Sequence, residues 1–245
     1  MGVSYNPRIV TDGLVFCVDA ASPRSYPGAG TTWTDLTTNK NNGTLTNGPT
    51  FDSANGGSIV FDGSDDYVGL GTSIQNEIIS TQSYSIVTWI YPTVDPSDSG
   101  FIANYHGNAT APNRNGLALR RLSNGRIRHI INDSGDGNYI AIDSESNSCP
   151  VNTWSHVVCT WNGGSTSSSL DIYINSQSSI GNSLDNGSFN DLKSSALEMR
   201  IGRVQFLASS PHFTGNISLV QIYNKLLSVE EIKQNYKATK GRFEV

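Results

Sequence analysis

Residues 169–175 read SLDIYIN, and their alternation decides the fold. Leu170, Ile172 and Ile174 fall on one side of an extended chain, Asp171, Tyr173 and Asn175 on the other. Successive side chains of a strand point to opposite faces, so this segment lays one face on a core and one toward solvent. Segments of the same kind run through the chain: GLVFCVDA (13–20), GSIVFDG (57–63), YSIVTWIYP (84–92), GFIANY (100–105), GLALRRL (116–122), RIRHIIN (126–132), NYIAIDS (138–144), WSHVVCTWN (154–162), LEMRIGR (197–203) and GNISLVQIYN (215–224). They are rich in β-branched and aromatic residues and bounded by turn formers. RIRHIINDSGDGNYIAID (126–143) reads as a hairpin turning through its Gly-rich centre. Many strands with turns and no intervening helices predict an all-β, two-sheet antiparallel sandwich.

The one strong helix signal comes last, in LLSVEEIKQNYKATKG (226–241). Ser228 is a natural N-cap, and Glu231 completes a capping box. Leu227 and Ile232 stand at the positions of a hydrophobic staple, Val229, Ile232 and Tyr236 share a face, and Gly241 is placed to end the helix. No repeat, linker or second core interrupts the pattern. The reading is one domain over residues 1–245, with an N-terminal arm over about residues 1–11.

Of the 245 residues, 36% are hydrophobic and only 15% charged, with four Trp, ten Tyr and eight Phe. Disordered chains show high charge and few aromatics, so this one buries a core. A net charge of −5 argues against a phosphate-binding surface and excludes nucleic acid as a partner. The densest basic stretch, residues 114–129, holds Arg114, Arg120, Arg121, Arg126 and Arg128. Split between strand faces and hairpin ends, they read as a solvated sheet surface. Three cysteines cannot all pair within one chain, and Cys17 and Cys159 lie in apolar runs. Reduced, buried thiols are expected, and with them assembly in a cytoplasm. No run approaches 20 apolar residues, so no membrane insertion is expected. The N-terminus MGVSYNPRIVTDG lacks the regions of a signal peptide.

The order GSIVFDGSDDYV, YSIVTWIYP, WSHVVCTWNGG with LDIYINS, then IGR…FTGNISLVQIYNKLLSVEEIKQNY resembles the laminin G-like branch of the concanavalin A-like lectin/glucanase superfamily. The resemblance runs from about residue 12 to residue 243. It implies a jelly roll of two antiparallel sheets, often carrying calcium and often binding carbohydrate. The opening stretch, residues 14–63, resembles a subgroup common among structural proteins of tailed bacteriophages, which also occurs in bacterial surface proteins.

Within GSIVFDGSDDYV, Asp62, Asp65 and Asp66 read first as turn formers between two strands. Phe61 and Val68 are expected to point inward, and Gly63 supplies a backbone angle that other residues resist. A glycosidase needs two carboxyl groups flanking the scissile bond. The family's hydrolases carry a Glu-x-Asp-x-x-Glu or Glu-x-Asp-x-Glu strand, and this chain has neither. The expectation is that it is not an enzyme. Structural Ca2+ is the candidate cofactor, because loops of Asp, Asn and Gly supply its oxygen ligands. The leading metal site is Asp19, Asp35, Asn39 and Asn42, with Asp62–Asp66 and Asp133/Asp136 as alternatives. The candidate ligand-binding residues are the loop aromatics and histidines Trp33, Tyr105, His106 and His212. Trp89, Trp154 and Trp161 are expected in the core.

The leading functional reading is a non-enzymatic virion surface protein of phage type, assembled in the host cytoplasm. Its expected partners are other virion proteins or host-surface polysaccharide, with room for a homo-oligomer. A bacterial carbohydrate-binding module is the alternative, and a glycoside hydrolase the third.

Overall fold

A computed structural model describes residues 8–95, 98–104, 115–133, 138–194, 197–204 and 212–243. In chain order the strands are β1 (Leu14–Asp19), β2 (Thr32–Trp33), β3 (Gly43–Thr46), β4 (Thr50–Asp52), β5 (Ser58–Asp62) and β6 (Tyr67–Gly69). After helix α1 (Ser73–Ile79) come β7 (Tyr84–Pro92), β8 (Asp98–Ala103), β9 (Gly116–Leu122), β10 (Ile127–Asn132), β11 (Tyr139–Asp143) and β12 (Ser155–Trp161). The rest are β13 (Leu170–Ile174), β14 (Gln177–Ser178), β15 (Ser183–Asn186), β16 (Arg200–Ile201), β17 (Thr214–Tyr223) and helix α2 (Val229–Thr239).

These strands form two antiparallel sheets. One has the order β14-β13-β12-β7-β17-β5-β4, with β1 also paired to β17; the other runs β15-β11-β10-β9-β8-β16-β6-β3-β2. The all-β, antiparallel sandwich expected from the alternation is the observed fold. Alternate residues of β7 and β17 show why. Ile86, Ile90, Val220 and Ile222 lie between the sheets, in one cluster with Phe101, Leu119, Ile131 and Trp161. Val87, Trp89, Leu219 and Tyr223 belong to clusters on the opposite face of their sheet, beneath α2. The sheet is therefore buried on both sides along its central strands, and its sequence is correspondingly apolar.

The Asp62–Asp66 connection behaves as a turn. Phe61 and Val68 are buried, and Gly63 sits at φ 81°. Asp62 Oδ1 accepts from Ser64 N at 2.7 Å, and Asp66 Oδ2 accepts from Asp62 N at 3.0 Å. The hairpin over residues 126–143 is present as β10–β11, with Asn132 opposite Tyr139. All three cysteines are free and buried. No helix among the described residues is long and apolar enough to cross a membrane.

Helix α2 has the expected capping box. Glu231 N donates to Ser228 Oγ at 3.2 Å, and Ser228 N donates to Glu231 Oε2 at 2.9 Å. Leu227 and Ile232 pack in one cluster, completing the staple. Two details differ from expectation. Val229 is exposed, because the helix is laid down through Ile232, Asn235 and Tyr236 instead. Gly241 lies within a short 3-10 turn, Lys240–Arg242, that continues α2 rather than ending it. Helix α1 was not anticipated; its Ile74 and Ile78 plug the inter-sheet core. Ser228→Ala should cost about 0.5–2 kcal/mol, since one capping acceptor is lost. A urea melt that overlays wild type would refute that role.

The N-terminal arm is docked where it is described. Val10 N donates to Asn235 Oδ1 at 2.8 Å, and Tyr223 Oη donates to Val10 O at 2.9 Å.

Candidate functional site

Neighbouring strands bring one row of side chains to the outer face of the first sheet. Asn216 on β17 stands opposite Tyr91 on β7 and Val60 on β5. Their chain neighbours Ile217 and Ile90 face the inter-sheet core, so Asn216 and Tyr91 face out. Trp154, just before β12, lies 5.5 Å from Tyr91, ring to ring. Phe243, beyond α2, lies 4.7 Å from Trp154. With Asp52 at the end of β4 and Asn55 after it, these residues line a cleft of about 390 Å³. That is a volume typical of small-ligand sites, roughly 300–1,000 Å³.

The polar groups of the cleft are positioned by one another. Asn216 Nδ2 donates to Ser58 Oγ at 3.0 Å and to Asp52 Oδ2 at 3.3 Å. Asp52 Oδ1 accepts from Ala54 N at 2.9 Å. Trp154 Nε1 donates to Asn55 Oδ1 at 3.3 Å, and Asn55 Nδ2 to Arg242 O at 2.9 Å. The Asn216 carbonyl takes no donor among the described residues, and Asp52 keeps spare lone pairs. Tyr91 is the partly exposed ring, backed by the buried Trp154 and Phe243, and such a wall beside these acceptors suits a ring that is apolar on its face and hydroxylated at its edge.

Arg242 is bonded to Asn55, one residue of the cleft wall. Its Nη1 donates to both carboxylate oxygens of Asp19, at 2.9 and 3.1 Å, and its Nη2 to Ser218 Oγ at 2.6 Å. The acidic end of β1 therefore meets a guanidinium supplied from the other end of the chain.

This pairing bears on the expected metal residues. A cation at Asp19 would have to displace Arg242. Asp35 is buried, and its carboxylate accepts from Cys17 N, Thr37 N, Thr37 Oγ1 and Asn41 N, at 2.8 to 3.0 Å. Asn42 Oδ1 accepts from Asp35 N at 3.0 Å, and Asn39 Nδ2 donates to Val15 O at 3.0 Å. Asp35 and Asn42 do come together, with Asn39 nearby, but as a staple tying the loop to β1. Arg242 on Asp19, three backbone N–H groups and the Thr37 hydroxyl on Asp35, and Asp35 N on Asn42 Oδ1 occupy the oxygens calcium would need, and Asn39 bonds through its Nδ2, so the four as arranged do not fit the ion. Asp62, Asp65 and Asp66 bring ligand oxygens within 4.8 Å of one another. Burial, and then the neighbouring Asp62 and Asp65 charges, push the Asp66 carboxyl up, against the Asp62 N–H bond. Asp133 is buried and accepts from Asn190 N at 3.1 Å; Asp136 lies outside the described residues.

The expected ligand-binding residues divide. Trp33 is fully buried, a correction to the loop-aromatic reading. Thr32 and Trp33 form a strand against Thr44 and Gly43, and the period of two turns Trp33 inward as it turns Thr32 out. Tyr26 and Phe213 are buried as well. His212 is half-buried and bridges to Gly100 and Arg203 on the second sheet, away from the cleft. Burial, with Arg203 nearby, holds its imidazole below the usual histidine range despite Asp65 and Asp62. Tyr105 and His106 lie outside the described residues. Strand alternation with Trp89 could have pointed to Tyr91. Nothing local could have paired Asn55 with Phe243, which are brought together only by the fold.

The arginines are also redistributed. Arg128 pairs with Asp143 through Nε and Nη2 at 2.6 and 2.9 Å, and Arg120 pairs with Asp98. Arg121 points into the molecule and is buried, contrary to the solvated-surface reading. Arg114 lies outside the described residues.

None of the curated proteins matches the chain in sequence. Among solved structures, Trypanosoma rangeli sialidase in complex with sialic acid superposes with a TM-score of 0.65 at 17% identity, over 98% of this chain and 36% of that one. The chain thus spans about a third of the sialidase chains it matches. Domain 4 of AbnA, a GH43 extracellular arabinanase from Geobacillus stearothermophilus, in complex with arabinotriose, superposes with a TM-score of 0.59 at 18% identity, over 91% of this chain and 98% of that one. At these identities the likeness is one of fold. The family model Laminin_G_3 matches residues 62–233, from the acidic turn through the first part of α2. With that match over most of its length, the chain belongs to the concanavalin A-like lectin/glucanase superfamily.

Proposed function

We propose that this chain is a non-catalytic carbohydrate-binding module whose sugar site is the Tyr91–Asn216 cleft. The observation that carries the reading is the cleft itself, three aromatic rings against Asp52, Asn55 and Asn216. The arabinotriose-bound arabinanase domain, of nearly the same extent as this chain, supports it. Asp52 is the one carboxylate among the described residues lining the cleft. Glycoside hydrolysis needs two, one on each side of the bond, which favours binding over cleavage.

The finer part of the proposal is where the module works. The resemblance of residues 14–63 to phage structural proteins supports display on a virion, in contact with other virion proteins and host polysaccharide. Linked weak sites gain about 10²–10⁴ in avidity, so many displayed copies suit adhesion by a shallow cleft. Mass spectrometry of purified particles tests that placement, and absence of the chain from them would overturn it.

The site is tested by a glycan array followed by titration of the best binder. Tyr91→Ala should weaken binding about ten-fold, the worth of one aromatic contact. Asp52→Ala should weaken it comparably, and both variants should melt near wild type. Unchanged affinity in both would remove the cleft from the account, and release of reducing sugar would overturn the non-catalytic reading.

A further inference from the structure

At another place in the fold, where β9 turns into β10, a second cavity of about 460 Å³ opens beside the 3-10 turn Ser123–Gly125. Arg121, Asp95, Asn124, Ser146 and Asn147 are among the residues that line it. Arg121 is the unusual member, because its side chain is only 2% exposed. Arginine is almost never buried this completely unless all of its charge is matched.

The matching here is one-sided. Arg121 Nε donates to Cys149 O at 3.1 Å, and Nη1 donates to Asp95 Oδ1 at 2.7 Å and Val94 O at 3.4 Å. Nη2 takes no acceptor among the described residues, and Arg121 lines the cavity, so this is the nitrogen left for a ligand there. Asp95, the only carboxylate on the guanidinium among the described residues, is half exposed at the cavity wall. On the rim, Ser146 Oγ accepts from both Nε and Nη2 of Arg126, at 3.0 and 2.9 Å. An anion entering the cavity would meet Arg121 on its floor and the Ser146–Arg126 pair at its edge.

We propose that this cavity binds the carboxylate of a small polar ligand, as carried by a uronic acid, with Arg121 Nη2 as the principal donor. Guanidinium–carboxylate bonds are charge-assisted and directional, and a buried guanidinium is already held in place for them. Asn124, Ser146 and Asn147 supply the amides and hydroxyl that a sugar ring would need around that carboxylate. Asp95 competes with the ligand for the same guanidinium. The site is separate from the aromatic cleft, and the inference does not depend on that cleft binding anything.

The test is an NMR titration of the full chain with glucuronate and with glucose, which differ in the carboxylate. Glucuronate should bind at least about ten-fold more tightly, the value of one charge-assisted bond in a desolvated site. Asp95→Asn, a change at a half-exposed position, should tighten glucuronate further. Arg121→Lys should weaken it, and Tyr91→Ala should leave it unchanged. An oligogalacturonate run in parallel distinguishes a polymer-borne uronate, which binds tighter than the monomer, from a free one, which does not. Equal binding of glucuronate and glucose, no binding of either, or indifference to Asp95→Asn would overturn the proposal.

Discussion

Acidification from pH 7 to pH 5 should destabilise the fold by about 2 kcal/mol for each of two buried histidines. Burial pushes both His129 and His156 down from 6.5 to about 3. His156 lies under α2, 5.2 Å from the Trp89 ring and 5.5 Å from that of Tyr236, with neither ring nitrogen partnered among the described residues. His129 lies between the sheets with Nε2 2.6 Å from Tyr84 Oη. Burial holds the Tyr84 phenol well above its usual range, so a neutral phenol and a neutral imidazole share that hydrogen bond. In the unfolded chain these histidines take up protons near pH 6.5, whereas folded they resist until about pH 3. The unfolded state binds more protons throughout that window. Their contribution is fully present above 6.5 and is lost progressively as pH falls below it. Asp66 and Asp171, both raised by burial, work in the opposite sense, gaining relative stability on acidification, but by smaller shifts. Urea melts across pH 7 to 4 measure the slope. His156→Phe should reduce it by one proton and leave stability at pH 7 within about 1.5 kcal/mol of wild type, as a shape-conserving core change. A slope unchanged by that substitution would sink the assignment.

Trp89→Ala should cost about 3–5 kcal/mol as a large core truncation. Trp89 does not lie between the sheets, where Trp161 does. Its indole is stacked 4.1 Å from Phe243 and 5.9 Å from Tyr236, and its Nε1 donates to Thr239 Oγ1 at 2.8 Å. It bolts the end of α2 and the following turn to the sheet. That turn carries Arg242, so the Asp19–Arg242 pair and the Asn55 wall of the Tyr91 cleft depend on the same contact. Trp89→Ala should therefore expose the segment after Tyr223 to limited proteolysis before the sandwich unfolds. Trp161→Ala, of similar cost, should not, because its ring packs between the sheets against Tyr84 and Phe189. Cleavage patterns that do not differ between the two variants would contradict this division of the core.

The sandwich was legible because each strand carries its own evidence. Leu170, Ile172 and Ile174 are buried while Asp171 and Tyr173 are only partly so, as period-two alternation requires. The α2 cap was legible for the same reason, with Ser228 and Glu231 three residues apart. Trp33 was misplaced because two strand residues are too few to show a period, and its direction is set by pairing with β3. Arg121 was misplaced because charge argues for exposure, while the cavity and the carbonyls of Val94 and Cys149 that admit it lie elsewhere in the chain.

The sequence by itself determined the longer strands, the alternation that turns most of them inward, the C-terminal helix with its cap, and the family those motifs belong to. These are local or ordered patterns, and a face two residues wide repeats visibly along a chain. Only the tertiary structure decided that Arg242 meets Asp19, that Asp35 is taken up by backbone N–H groups and a hydroxyl, and that Tyr91, Asn216, Asp52 and Phe243 share one cleft. Arg242 and Asp19 are 223 positions apart, and Asn216 and Asp52 are 164 apart. Nothing in a local pattern registers such pairs, because sheet order and helix docking create them.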